Sequence, residues 1–177
     1  PLGTKVPGHT ASQAFNTKQT GYILVDQNGK RFINEKQIEH HAGILAVNYF
    51  DSYEMKSPRI PCYAIFDANS KEDGAFAPSY GSGWLRHREK WNWSRSNDKE
   101  IEAGIVKVGQ NIQELAEKIG VDAKNLQATI GQWNSDLKGP EKKDSLFGRT
   151  LEGHVGQVWP HGASKQETIF SFRQTAL

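Results

Sequence analysis

The chain has 177 residues, a net charge of +2 and 24% charged residues, which fits one domain, since a chain of this size buries roughly 70% of its unfolded surface. It lacks the concentrated basic excess of nucleic-acid-binding proteins and an apolar stretch near the ~20 residues that span a bilayer. Its single cysteine excludes an intramolecular disulfide. Without a signal-peptide pattern at the start, a cytoplasmic location is expected, with neither nucleic acid nor membrane as partner.

The first predicted element is a β-hairpin. Residues 1–21 are rich in Gly, Pro, Thr, Ser and Gln and are predicted to be an extended lead-in. Two apolar runs then flank Asn28-Gly29. Asn-Gly between apolar runs is the strongest short hairpin signal, because both residues tolerate the positive φ of a type I′ turn. The hairpin is predicted over residues 22–33.

The central third combines a helix, a strand and a long loop. Ile38, Ala42, Leu45 and Tyr49 recur at three- and four-residue steps, which predicts a helix. The apolar run 62–66 predicts a buried strand that ends at Asp67. Residues 68–97 are rich in Gly, Ser, Trp and Arg and are predicted to be irregular, as in functional lids.

Residues 111–137 predict an αα-hairpin. Asn111 and Glu114 form a start resembling a capping box, Gly120 suits a left-handed C-terminal position, and Asp122 suits the start of a second helix. One apolar stripe follows both helices: Leu115, Ile119, Leu126, Ile130 and Trp133. A short strand is expected at 168–172. The predicted class is α+β: a small sheet with the 22–33 hairpin, packed with helices that include the αα-hairpin.

Few residues form a recognisable catalytic or metal pattern. Glu35, Glu39, His40 and His41 superficially resemble a metal cluster, but adjacent histidines on a helix point about 100° apart, so no metal is expected. The Gly81–Gly83 segment lacks the third glycine of a dinucleotide fingerprint. Cys62 lies within the apolar strand, where a thiol is usually inert.

Five segments occur in an order that carries more information than any one of them. They are residues 21–35 with "GkRF-x-NE", 61–67 with "P-x-x-x-IFD", 94–107 with "S-x-x-N-x-x-EI-x-x-G", 112–134 with "eLAekiGvd" and "wN", and 144–149 with "D-x-x-FGR". In this order they resemble segments of the fumarate reductase/succinate dehydrogenase-like flavoproteins, which include the ketosteroid dehydrogenases.

The resemblance implies a role and a cofactor. In that family a mobile cap interrupts an FAD-binding domain, and these motifs belong to the cap. Residues 22–165 would then be the capping domain, and 166–177 a tail that returns toward the FAD-binding domain. FAD would be held by the intact parent protein, and none is expected to bind this chain, which would be inactive alone. Its partners would be the FAD-binding domain of the same parent chain and a small-molecule substrate.

The sequence departs from the fumarate reductases at two places. Their Thr-Glu-x-x-Arg-Gly pattern has no match near residues 14–19. Their proton-donating arginine lies eight residues after the first motif's arginine, a position that here is Glu39. Fumarate chemistry is therefore not carried over, and a carbonyl- or alkene-containing substrate is expected in place of a dicarboxylate.

Four residues are the candidates for cap chemistry. Arg59 lies in a proline-bracketed segment and would clamp a carboxylate or polarise a carbonyl. Tyr63, Tyr80 or His41, with His40 beside it, would supply a proton. The alternative for each is a structural role: a surface ion pair for Arg59, core packing for Tyr63 and solvation for the histidines.

A second interpretation of the whole chain stays open. The Trp-rich loop 76–95 would serve a free-standing ligand- or protein-binding module. Flanking sequence would discriminate the two, because a capping domain lies between two segments of the flavin domain.

Overall fold

The computed structural model describes residues 21–35, 45–76 and 93–150 with their side chains, and the backbone of strands in residues 2–5, 12–14 and 169–176. The strands are β1 (Leu2–Lys5), β2 (Ser12–Ala14), β3 (Tyr22–Val25), β4 (Cys62–Asp67), β5 (Val106–Gly109) and β6 (Ile169–Ala176). The helices are α1 (Ala68–Glu72), α2 (Asp98–Glu102), α3 (Ile112–Ile119) and α4 (Ala123–Lys138). The α+β class is confirmed.

The strands form one antiparallel sheet in the order β2-β1-β6-β4-β3, with β5 also paired to β6. The predicted strand at 168–172 is confirmed for residues 169–172 as part of β6, which pairs with the whole length of β4. Strands β1 and β2 come from the predicted lead-in, and β5 was not predicted. The division at residues 21 and 165 into lead-in, cap and tail stays a prediction.

Two apolar cores lie on the two faces of this sheet. Side chains alternate between the faces of a strand, so Tyr22 and Leu24 enter the first core while Ile23 and Val25 enter the second. The first core also contains Phe66 and residues of the segment that leads into β5. The second is covered by α3 and α4. Strand β3 is therefore buried throughout.

The predicted hairpin at 22–33 is present as a turn closed by a single bridge between Val25 and Arg31, and β3 finds its main partner in β4. The prediction of a type I′ turn is wrong. Gly29 has a φ of 74° but Asn28 lacks a positive φ, and Gly29 N donates to Asp26 O at 3.0 Å. This is the geometry of a three-residue loop in which glycine takes the left-handed position after a tight turn.

The αα-hairpin is confirmed as α3 and α4. The Asn111 side chain accepts from Glu114 N at 2.9 Å, and Glu114 Oε2 accepts from Gln110 N at 2.8 Å. Gly120 ends α3 with a φ of 74°, and Asp122 caps α4 by accepting from Asn125 N. Both helix starts thus satisfy their backbone donors within four residues of sequence.

Replacing Leu126 with alanine is expected to lower the free energy of unfolding by roughly 3 kcal/mol, because the side chain is fully buried in the second core and a cavity would remain. Urea unfolding followed by circular dichroism measures the loss. The exposed neighbour Gln127 gives the control, Gln127→Ala, with an expected change within about 0.5 kcal/mol. A loss below about 1 kcal/mol for Leu126→Ala would contradict the packing of this face.

The predicted irregular stretch 68–97 needs one correction. Residues 68–72 form α1, because the Asp67 side chain caps its first turn by accepting from Ser70 N and Oγ, both at 2.8 Å. Residues 77–92 lie outside the described part of the chain. So does most of the helix predicted from Ile38, although 45–47 are helical. In the described residues no helix has the length and apolar character needed to cross a membrane.

Candidate functional site

Arg59 is partly buried and held in a defined position. Its Nη1 donates to Ala46 O at 2.7 Å. The guanidinium carbon lies 5.0 Å from the Phe32 ring centroid and 4.5 Å from that of Tyr49. The predicted restraint of this segment is therefore present, and a structural surface ion pair is not among the contacts that the structure shows for Arg59.

The other predicted candidates are not gathered around Arg59. Tyr63 lies on β4, half-buried against the second core, whereas Phe32, which contacts Arg59, packs against the first core. The two candidates therefore belong to opposite faces of the sheet. Tyr80, His40, His41 and Glu39 lie outside the described residues.

The most polar buried feature of the described chain is a four-residue charge network around Glu35. Its carboxylate accepts from Leu24 N at 2.9 Å, from Arg31 Nε at 3.0 Å and Nη2 at 2.8 Å, and from Arg149 Nη1 at 2.8 Å. Both oxygens of Glu35, considered above as a metal ligand, are thus bound by cations and a backbone amide.

Asp144 completes the network from the far end of the chain. Arg31 Nη1 lies 2.6 Å from Asp144 Oδ1, and the other carboxylate oxygen accepts from Phe147 N at 2.9 Å. Arg149 Nη1 also donates to Tyr22 O at 2.6 Å. Two cations and two anions balance each other, which buried charges require because desolvation without a partner costs several kcal/mol per ion.

Aromatic rings cover the network. The Arg31 guanidinium carbon lies 4.6 Å from the Trp133 ring centroid and 5.2 Å from that of Phe147. That of Arg149 lies 4.9 Å from Trp133 and 5.5 Å from Tyr22. Burial acts to lower the pKa of Arg31, but Glu35 and Asp144 outweigh it and the pKa is raised. Arg31 therefore stays charged.

A second polar centre is Asn97, which is buried with a φ of 63°. Its Oδ1 accepts from Phe76 N at 3.0 Å and from Trp93 Nε1 at 2.7 Å. Its Nδ2 donates to Gly74 O at 2.9 Å and to Lys71 O at 3.2 Å. One side chain thus ties together the two ends, Phe76 and Trp93, of the segment 77–92.

Buried hydroxyl and thiol groups are poor nucleophiles here. Burial raises the pKa of Cys62 to about 12, so the thiol stays protonated near neutral pH, as expected for a core cysteine. Burial also raises the pKa of Tyr22. The described geometry accordingly supplies a well-connected frame and, at Arg59, a partly buried cation held by Ala46 O.

Comparison of the sequence with known proteins gives its relatives. No family model matches the chain. It is 31% identical over 165 residues to a 4-oxocyclohexanecarboxylate 2-dehydrogenase of Sinomonas cyclohexanicum, covering 91% of this chain and 24% of that protein. The chain is related to the fumarate reductase/3-ketosteroid dehydrogenase flavoproteins. It is also 28% identical over 151 residues to an NADH:acrylate oxidoreductase of Vibrio harveyi, covering 84% of this chain and 13% of that protein.

Solved structures of this flavoprotein family share the fold. A 3-ketosteroid Δ1-dehydrogenase from Sterolibacterium denitrificans matches with a TM-score of 0.72 and 19% identity, over 99% of this chain and 30% of that chain. A fumarate reductase flavoprotein subunit from Lactobacillus plantarum, solved by NMR in solution, matches with a TM-score of 0.54 and 14% identity, over 90% of this chain and 86% of that one. The chain thus spans about a quarter of its first curated relative.

The flavoprotein motifs now have a physical meaning. The first and last, at 21–35 and 144–149, form the charge network. Asn97 and Glu100 of the middle motif anchor the 77–92 segment, since Glu100 Oε1 also accepts from Ser94 N at 3.0 Å. Sequence reasoning found the motifs but missed that two of them bind each other; the only available signal was Arg and a carboxylate in both.

Proposed function

We propose that this chain is the substrate-capping domain of an FAD-dependent oxidoreductase, which closes over flavin and substrate for hydride transfer. The observation that carries the proposal is the match of nearly the whole chain to under a third of a 3-ketosteroid Δ1-dehydrogenase. The use of the family motifs in an internal frame supports it further, because a lid must move as one rigid piece to exclude water and complete a site.

The described residues do not fit the pyrophosphate of FAD. Dinucleotide sites place it at a helix N-terminus after a strand, where free backbone N–H groups meet the phosphates. The two described strand-to-helix junctions precede α1 and α3, and each carries its own carboxylate. Asp67 caps α1, and Glu114 binds Gln110 N before α3. FAD would therefore be held by residues outside the described part, in the partner domain of the same parent chain.

Within this proposal the chain's own residues orient the substrate and exclude water. The flavin, when bound, supplies the hydride acceptor or donor. The substrate is a small carbonyl- or alkene-containing molecule, as suggested by relatives named for an oxocyclohexanecarboxylate and for acrylate. Tyr80 and His41 are the proposed proton donors, and Arg59 the proposed clamp. Tyr63 packs against the second core, on the other face of the sheet from the Phe32 ring beside Arg59, so it is not assigned to the same substrate.

The test uses the full parent flavoprotein and a version in which residues 22–165 are replaced by a short Gly-Ser linker. Flavin absorbance near ~450 nm should remain in the shortened protein and be missing from the isolated chain, because the phosphate site lies elsewhere. Turnover should fall by roughly 10²-fold or more. Glu102→Gln, an exposed side chain, is the control. Loss of flavin with the segment, or a yellow isolated chain, would overturn the capping role.

The same turnover assay ranks the proton donors. Tyr80→Phe and His41→Ala are compared in the parent protein, where loss of a general acid costs on the order of 10²-fold or more. Tyr63→Phe, on the other face of the sheet from Arg59, should keep near-normal turnover. If Tyr80→Phe and His41→Ala also keep near-normal turnover, the proton comes from the partner domain and the cap acts as a lid alone.

A further inference from the structure

We propose that Arg59, with the aromatic side chains beside it, is a binding site for the carboxylate of a small monoanion with an apolar body. The proposal deepens the capping role, since this molecule would be the substrate. Binding itself requires only residues of this chain, so it is testable without the flavin. The site does not coincide with the charge network or with the Asn97 centre.

The backbone that carries Arg59 is fixed by a side chain from the first turn of the fold. Gln27 N donates to Pro58 O at 2.9 Å. Gln27 Nε2 donates to Ser57 O at 3.1 Å and also to Ile60 O. Ile60 N donates to Ser57 O at 3.2 Å. Arg59 therefore projects from a segment held on both sides, and a preorganised cation loses less entropy on binding.

The Arg59 guanidinium contacts two aromatic rings and donates one hydrogen bond. Phe32 and Tyr49 lie against the charge, and Ala46 O takes a hydrogen from Nη1. Phe32 is itself anchored, because it packs on the first core and directly follows Arg31 of the buried network. A guanidinium has five N–H donors in a planar fork, so donors remain on its edge.

No carboxylate pairs with this cation in residues 21–35, 45–76 and 93–150: each ion pair found there involves other residues. The nearest lysine in sequence, Lys56, lies 3.3 Å from Glu54. A positive charge with a planar fork and no carboxylate partner among those described residues fits one carboxylate, which can accept two parallel hydrogen bonds. The single charge of Arg59 would balance only one of the two negative charges of a phosphate dianion.

The surroundings of Arg59 favour an apolar body on that anion. Tyr49 is 44% exposed, Phe50 52% and Leu45 77%. All three lie within four residues in sequence of Ala46, whose carbonyl oxygen accepts the hydrogen bond from Arg59. Covering such apolar surface is favourable by roughly 25 cal/mol per Å², so a hydrophobic ring or chain attached to the carboxylate gains contact that acetate lacks.

The experiment titrates the 177-residue chain with cyclohexanecarboxylate and, separately, with the neutral and similarly shaped cyclohexanecarboxamide, while NMR records the Arg59 Nε–Hε and Tyr49 signals. We expect the acid to shift both signals and to bind at least about ten times more tightly than the amide, a factor equivalent to one charge-assisted contact. Acetate should bind more weakly than the ring acid.

Two variants separate the site from general effects. Arg59→Gln should bring acid and amide to similar affinity, and Arg59→Lys should keep part of the preference, since it retains charge but loses the fork. Arg95→Gln, at an exposed arginine, should change nothing. Should Arg59→Gln fail to fold, the wild-type comparison of acid with amide and the Arg59→Lys titration still decide the matter.

Equal binding of acid and amide, or acid binding that Arg59→Gln leaves intact, would overturn the site. Neither result touches the capping role, which is read from flavin and turnover in the parent protein. There, Arg59→Gln should raise KM by roughly tenfold or more with kcat largely kept, the pattern of lost ground-state binding. A fall in kcat at unchanged KM would also contradict a clamp.

Discussion

Replacing Glu35 with alanine is expected to lower the free energy of unfolding by about 5 kcal/mol or more, enough to unfold much of the chain at room temperature. The change leaves the buried guanidinium groups of Arg31 and Arg149 facing one anion, Asp144, and removes the acceptor of Leu24 N. Breaking a buried ion pair costs roughly 3–5 kcal/mol, and an unsatisfied buried amide adds roughly 1–3 kcal/mol. Urea unfolding followed by tryptophan fluorescence and circular dichroism measures the loss.

Two companion variants make this result specific. Glu102→Ala removes an exposed carboxylate and should change stability by less than about 0.5 kcal/mol. The pair Glu35→Leu with Arg149→Met removes one charge of each sign, so its cost should be smaller than the sum of the single changes, with a coupling of about 1–3 kcal/mol. A Glu35→Ala variant as stable as Glu102→Ala would show that the network contributes nothing, and additive costs would show that Glu35 and Arg149 do not act as a pair.

Replacing Asn97 with alanine is expected to cost about 4 kcal/mol. Phe76 N and Trp93 Nε1 would lose their acceptor, at roughly 1–3 kcal/mol for each buried group left unsatisfied. Alanine at a φ of 63° adds on the order of 1 kcal/mol. Thermal and urea unfolding give the stability, and amide exchange at Phe76 and Trp93 reports the release of the two ends.

Asn97→Gly separates the two causes, since glycine accepts positive φ without strain but makes no side-chain hydrogen bond. It should recover only the strain part, about 1 kcal/mol of the loss. If Asn97→Gly restores full stability, backbone strain alone explains the residue and the hydrogen bonds around it are incidental. If amide exchange at Phe76 and Trp93 is unchanged in Asn97→Ala, the residue does not anchor the 77–92 segment.

The charge network around Glu35 also affects the proposed carboxylate site at Arg59. The charge network fixes residues 31–35, and Phe32 in that stretch lies under the Arg59 guanidinium. A variant that loosens the network should therefore weaken anion binding as well as stability. The buried charges act on the site by positioning its wall, and not by contact with the ligand.

Elements whose hydrogen bonds close within a few residues were predictable from the sequence. The caps of the αα-hairpin are of this kind: Asn111, Gly120 and Asp122 each complete their helix end within four residues. The apolar run of β4 was equally clear. The Gly29 turn was located correctly but given the wrong type, because the choice of φ at Asn28 depends on how the chain leaves the turn.

The sequence by itself determined the helical hairpin, the core strand β4, the family resemblance and the restrained position of Arg59. Only the tertiary structure decided that Arg149 and Glu35, 114 residues apart, bind each other, that β6 lies between β4 and β5, and that Phe32 and Tyr49 enclose Arg59. The physical reason is that a local hydrogen bond is encoded by neighbours in sequence. A buried charge or a sheet partner is chosen among many compatible residues by the packing of the whole chain.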